Sequence, residues 1–455
     1  MNQIPKFLIV VSLTCAWVAH AGIALSAGED SVERADRILT TAPDVPKHTG
    51  RNWAHFVGDM TVVGPLEDAQ YPAHFEWAYS IRRPLAKRPR VLVNLHGSGG
   101  GKASILQAYA PRSAADIEIR VQDAEAQNRK RREYWGWSTT GEPLPGLRIV
   151  SALDFVLRLF PTMDIDSRGV VLHGTSMGGT GVFIQTMVLP EPWRARVAYV
   201  TAVIGSPLPR RANERDPGKF ALWPRDLGPG SLWDKIDFSL SVKHDEIVRG
   251  MHYRHLFSSN DRTSQGPNGS TALEFVNLVE ANRVGGAFFW IHNNHNAGEK
   301  GVRTGGIPGF EVPEQDVTLD RAHPAISDST GNYPLTAQAR LDMARYPRGH
   351  YNLGIVWDHA RIEDRRDELV FPLKYMRHTD IGGGIPDQPE SITVSVTPRR
   401  ANAFRFRDGE QLQWSWNEGE LRGTLIVRGD TATVTDIPLR DGDGYRRLRI
   451  YRNAR

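Results

Sequence analysis

The sequence predicts an α/β protein, a mainly parallel sheet flanked by helices, followed by a small antiparallel β-sandwich. Three observations predict it. Short apolar runs such as 90–97 (RVLVNLHG) alternate with amphipathic stretches from about residue 55 to about 298, the pattern of strand and helix layers packed on one another. Beyond about residue 345 helical spacing fades, and brief alternating runs separated by turn residues take over. Between these regions lies a stretch rich in Gly, Pro, Asp and Asn with no sustained period.

The elements follow in order. Residues 1–6 (MNQIPK) place Lys6 ahead of the apolar run 7–25, with small residues at Ala19, Ala21 and Ala27, so 1–27 reads as a signal peptide and the chain as secreted or periplasmic. The single cysteine, Cys15, lies inside that leader, which leaves the mature chain without disulfides, zinc–thiolate sites or a cysteine nucleophile. Segments 73–81 and 90–97 read as strands, the second nearly continuous in apolar residues, as suits a strand buried on both faces. Segment 116–123 is a third strand. In 144–160, Leu147, Val150, Leu153, Leu157 and Phe160 recur at helical spacing, and Pro161 ends the helix.

Segments 168–174, 197–205, 252–259 and 285–293 continue the sheet, and a helix opens at Thr271 with Glu274 three residues on. This gives a catalytic domain over 28–298. Residues 299–344 read as linker and active-site loops, and 345–455 as a sandwich of the immunoglobulin or fibronectin III kind, from 352–358, 368–376, 391–398, 411–417, 423–429, 431–437 and 446–452.

Chemistry concentrates around 169–181 (GVVLHGTSMGGTG). Gly174, Ser176 and Gly178 fit G-x-S-x-G, and the motif stands between a buried strand and an expected helix, the context that makes it informative. A serine hydroxyl is a weak nucleophile and needs a base, an orienting acid and oxyanion donors. Asp261 ends the strand 252–259 region, where a carboxylate at the sheet edge can reach an imidazole. His295 follows the last strand on a polar loop, and His292, nearer the strand end, is its rival. The glycine-rich run 95–102 (LHGSGGGK) lets backbone N–H groups around Gly97 and Ser98 face the site, with Met177 as the other donor. That run lacks the spacing of a phosphate-cradling loop.

These stretches, LHGSGG, DIDSRGVVLHGTSMGG, SSNDR and HNNH, together resemble an α/β-hydrolase, and among those the secreted polysaccharide-ester and polyester hydrolases: feruloyl and acetylxylan esterases and polyhydroxyalkanoate depolymerases. The resemblance spans about residues 55–298 and implies Ser176 as nucleophile, Asp261 as acid, a histidine after the last strand as base, and backbone donors near Ser98 and Met177. It departs at the histidine, where relatives commonly carry a preceding glycine and this chain has Asn294. The substrate so implied is an ester-bearing polymer or small ester, with no metal and no organic cofactor. A serine peptidase of the same fold and a catalytically silent binding protein are the alternatives.

Other features carry plainer readings. Trp135 and Trp137 lie on a loop before the helix at 144 and are candidates to stack on a sugar or aromatic acyl group, with loop packing as the competing role. Trp290 reads as core, and Trp414 and Trp416, two apart and so on one face of the sandwich, as its core stripe, with a sugar-stacking platform as the competing role. Residues 428–430 (RGD) and 441–444 (DGDG) read as turns. A net charge of +4 from 56 basic and 52 acidic residues, with no long basic block, points away from nucleic acid. Once the leader is removed no membrane span is expected, and oligomeric state is left open.

Overall fold

The computed structural model describes residues 10–12, 48–50, 53–63, 74–82, 84–86, 88–98, 105, 111, 115–123, 135–136, 144–161, 164–215, 230–258, 261, 270–291, 295, 317–333, 348–377 and 388–452. Strands β1 (Val10–Ser12), β2 (His48–Gly50), β3 (Trp53–Val63), β4 (His74–Arg82), β5 (Val91–Leu95), β6 (Ile117–Val121), β7 (Val170–Thr175), β8 (Val197–Val203), β9 (His252–Ser258) and β10 (Gly285–Ile291) lie in one sheet. Its order is β1-β3-β4-β6-β5-β7-β8-β9-β10, with β2 paired to β3. From β6 to β10 every neighbour is parallel, and β1, β3 and β4 add an antiparallel edge. β1 falls within the segment expected to be a removed leader.

Helices α1 (Leu144–Leu159), α2 (Ile165–Arg168), α3 (Met177–Val188), α4 (Pro209–Arg215), α5 (Phe238–His244), α6 (Glu246–Gly250) and α7 (Ser270–Ala281) connect the strands. Alternation within each strand divides the sheet into two faces. Val91, Val93 and Leu95 of β5 share one core with Ile149, Leu153 and Val156 of α1, Phe183 of α3 and Phe275 of α7. Among the described residues no helix is long and apolar enough to cross a membrane.

The opposite face is covered differently. Leu92, Val171, Ala198 and Tyr199 share their core with Ile326, Trp357, Phe371 and Val394, which belong to the C-terminal β region. There β11 (His323–Ser327) joins β16 (Ser391–Arg399) and β19 (Val434–Arg440) in a three-stranded antiparallel sheet. The second sheet holds β13 (Ile355–Trp357), β14 (Glu363–Asp364), β15 (Glu368–Tyr375), β17 (Gln411–Trp416), β18 (Leu421–Ile426) and β20 (Arg446–Tyr451), in the order β13-β15-β20-β17-β18 with β14 on β15. Side chains of both sheets, including Leu369, Ile437, Leu448 and Ile450, meet in that core, which makes the region a sandwich.

Strand pairing corrects the expected boundaries. Residues 299–344, read as linker and loops, contain β11, whose five residues pair with β16. The chain then returns to the large sheet as β12 (Arg348–Tyr351), antiparallel to β10, before entering the sandwich at β13. Both strands are short, and β12 reads RGHY, so neither carries an alternating signal of its own. Asn352, at φ 55°, locks the crossing: its amide donates to Glu280 Oε1 at 2.8 Å, to Ile326 O at 3.0 Å and to Gly286 O at 3.2 Å. Burial pushes the Glu280 carboxyl upward against these bonds.

Candidate active site

β7 is buried from Val170 to Gly174 and delivers Ser176 at the C-terminal edge of the sheet. Ser176 sits at φ 58°, ψ −115°, a conformation that costs a non-glycine residue on the order of 1–3 kcal/mol. Its N–H still bonds to Val203 O of β8 at 2.8 Å, while its carbonyl already accepts the Thr180 N–H of α3 at 3.0 Å. One residue therefore turns strand into helix, and its side chain is left at the apex. The turn is tight enough that a Cβ on Gly174 would lie 2.2 Å from Gly178 O, which explains small residues at both positions.

At the apex, Ser176 Oγ lies 2.6 Å from His295 Nε2, and His295 Nδ1 lies 2.8 Å from Asp261 Oδ2. A carboxylate only accepts, so Nδ1 carries the proton and Nε2 presents its lone pair to the serine hydroxyl. The Asp261 side chain is fully buried and that of His295 about one-third exposed, so the acid is sealed beneath an imidazole open to solvent. Asp261 follows β9, with its N–H bonded to Ser258 O at 3.2 Å. His255 on β9 is also close to Asp261, but burial pushes that imidazole down to about 3, which keeps it uncharged at neutral pH. Of the sequence candidates, Ser176, Asp261 and His295 are brought together, and His292 lies outside the described residues.

The loop after β5 abuts the elbow. A Cβ on Gly97 would lie 3.2 Å from Thr175 O and 3.5 Å from Ser176 Cβ, so only a bare backbone approaches the serine this closely. His96, to which the sequence assigns no role, holds the loop. The Asp123 N–H donates to His96 Nε2 at 2.9 Å, which leaves the Nδ1–H to donate to Gly97 O at 2.8 Å. With that carbonyl tied down, planarity of the trans peptide turns the Ser98 N–H the opposite way. Met177 is the first residue of α3, where backbone N–H groups lack intrahelical partners. The only sequence signal for His96 is its place directly before Gly97 in LHGSGG.

Trp135 corrects one expectation. It is fully buried at φ 61°, and its Nε1–H donates to His96 O at 3.4 Å while its carbonyl accepts from the Gln185 amide. A Cβ on Gly181 of α3 would lie 2.4 Å from its ring. Trp135 thus clamps the His96 loop against α3 and offers no surface for stacking on substrate. Trp137 lies outside the described residues. Trp290 and Trp416 are buried in their cores, and Trp414 is half-buried, its indole over Gly423. Among the described residues no three His, Cys, Asp or Glu side chains form a group able to hold a metal ion.

A parallel sheet with an antiparallel edge, a strand-to-helix elbow bearing serine, and the chain order serine, aspartate, histidine are all present. The fold is that of an α/β-hydrolase. No family profile matches the sequence, and no curated protein does. Solved structures do match, at low identity. An S-formylglutathione hydrolase from Agrobacterium tumefaciens is 15% identical, with 55% of this chain and 92% of that one covered at a TM-score of 0.41. An acetyl xylan esterase from Paenibacillus sp. R4 is 16% identical, with 62% and 92% covered at 0.36. An acylaminoacyl peptidase from Pyrococcus horikoshii is 14% identical at 0.39, with 58% of this chain covered, and the chain spans 39% of that peptidase's length.

Proposed function

We propose that the chain is a secreted serine hydrolase that cleaves carboxylic esters by acyl transfer. The observation that carries this reading is the continuous relay from Ser176 Oγ through His295 to Asp261, at 2.6 and 2.8 Å. In the proposed cycle Ser176 Oγ attacks the ester carbonyl as its proton passes to His295 Nε2. Asp261 keeps the imidazole in the tautomer that can receive this proton and stabilises the imidazolium that forms. Backbone N–H groups of Ser98 and Met177, beside Gly97, receive the oxyanion. Collapse of the tetrahedral species returns the proton to the leaving alcohol, and water then releases the acid from the acyl-serine by the same steps in reverse order. The apolar leader at 7–25 supports export, and an acyl group on a polysaccharide or a hydroxyacid polyester is the proposed substrate class.

The test uses the full chain. Short-chain p-nitrophenyl esters are expected to turn over with a burst of one nitrophenol per active site, and Ser176→Ala to lose about 10⁶-fold in kcat. Unchanged turnover in Ser176→Ala would reject the nucleophile. Efficient cleavage of aminoacyl p-nitroanilides with no ester turnover would move the protein to the peptidase reading. Release of acid from acetylated xylan, feruloylated arabinoxylan or a polyhydroxyalkanoate then separates the substrate classes.

A further inference from the structure

A cleft of about 420 Å³ opens where the start of β8, helix α6 and the end of β16 meet. Arg249, Arg399, Arg400 and Arg405 line it, against two carboxylates, Glu246 and Asp430. Asp430 is already committed, 2.9 Å from Arg249 Nη2. Arg399 and Arg400 have no such partner among the described residues. Arg399 bonds to the carbonyls of Arg283 and Asn282 at 2.9 and 2.8 Å, and Arg400 to those of Val197 and Ala198 at 2.8 and 3.4 Å. Carbonyl dipoles orient a guanidinium without neutralising it: Arg399 feels the Asp430 carboxylate only at longer range, and no carboxylate pairs with Arg400 among the described residues, an expensive state for ions largely withdrawn from water. Burial accordingly pushes both arginines down to about 10. The Arg249 Nε–H is also buried with no acceptor among the described residues. Arg400 itself is at φ 55°, so the chain holds this guanidinium in place at a conformational cost.

We propose that this cleft is a second binding site, for a small organic anion that presents a carboxylate or phosphate to Arg249, Arg400 and Arg405. Its size falls within the range of ordinary ligand pockets, and Ile247 and Phe406 supply apolar wall for a sugar-sized scaffold. It is separate from the catalytic serine. Val197 and Ala198 open β8, whereas Ser176 bonds to Val203 at the far end of the same strand, a run of roughly 20 Å at the usual strand rise. A bound anion would touch both the sheet and the sandwich, so occupancy also couples to how firmly the two are joined.

The experiment is isothermal titration of the full chain with inorganic phosphate, sulfate and D-glucuronate at constant ionic strength, with thermal unfolding in parallel. Saturable one-to-one binding at millimolar concentration or tighter is expected, with a rise in Tm. Preference for phosphate or for glucuronate assigns the ligand to the phosphate or the carboxylate class. Arg405→Gln, at an exposed position that does not threaten folding, is expected to weaken binding roughly tenfold, and Arg249→Gln at least as much. Glu246→Gln is expected to tighten it. Ser176→Ala should bind like the parent, and Arg405→Gln should keep full p-nitrophenyl ester turnover. Absence of saturable binding by all three anions, or binding untouched by both arginine variants, would overturn the proposal and leave these arginines as fasteners of the sandwich.

Discussion

A Cβ placed on Gly178 would lie 1.9 Å from the carbonyl oxygen of Leu95. Helix α3 therefore rests directly on the end of β5, and the serine before it is aimed by backbone-on-backbone contact. Backbone cannot step aside as a flexible side chain can, so Gly178→Ala is expected to cost about 3 kcal/mol or more in unfolding free energy and to abolish hydrolysis. Gly444, where an added Cβ would meet nothing within 4 Å, is the control, and Gly444→Ala should stay within about 0.5 kcal/mol of the parent.

Asp261→Asn tests the tautomer. An asparagine amide in the same buried place can donate to His295 Nδ1, which puts the ring proton on Nε2 and removes the acceptor for Ser176 Oγ. The expected result is a loss on the order of 10⁴ in kcat with Tm little changed. A small kinetic effect would show that His295 is oriented by something other than this carboxylate.

His96→Phe should separate positioning from binding. The ring can still face Trp135, 5.1 Å away, but both hydrogen bonds that hold the loop are lost. Because the oxyanion forms only after attack, kcat is expected to fall about 10²-fold while KM moves little. A change confined to KM would refute the role given to His96.

The fold contains an acid-sensitive group of histidines. His252, His255 and His323 are buried, and burial lowers the affinity of all three for protons, His255 to about 3. Well above about pH 6.5, the ordinary imidazole value, each is neutral in both folded and unfolded chains and adds no pH dependence. As pH falls through that value the unfolded chain binds the extra protons, so stability is lost towards the folded-state values, by up to about 1.4 kcal/mol per pH unit for each histidine. Denaturant unfolding at intervals between about pH 7 and about pH 5 reads this slope. His255→Leu should remove one proton's share, and a flat profile would contradict the assignment.

Truncation before β12, near residue 340, is expected to yield insoluble protein. It would strip β12 from β10 and uncover Leu92, Val171, Ala198 and Tyr199, which share their core with the sandwich. Within the intact chain Trp357→Ala, which empties the space beside His252, should cost about 3–5 kcal/mol in the same unfolding assay. A soluble, active truncated protein would show that the sandwich is an appendage.

Much of the fold is legible from residues alone because the signals are local. β5, β7 and β8 are short strands rich in apolar residues, and α1 and α7 carry helical spacing, so their positions follow from periodicity. Ser176 is legible because the elbow requires small residues at fixed offsets. β11 and β12 are not, since runs of five and four residues, HPAIS and RGHY, are too short to show a period of their own. Trp135 passes for a stacking candidate because an aromatic residue on a loop looks the same in sequence whether it faces a ligand or a glycine of a neighbouring helix. His96 shows no role for a related reason, as its partner Asp123 lies 27 positions away.

By itself the sequence determined the order of layers, the strained serine and the residue types of a possible relay, since each depends on neighbours within a few positions. The tertiary structure alone decided that His295 stands against Ser176 across 119 positions and that the sandwich covers one face of the sheet. It alone gathered four arginines into one cleft. Contacts of that separation depend on how whole elements pack, and packing is shaped by surfaces that a linear chain does not display.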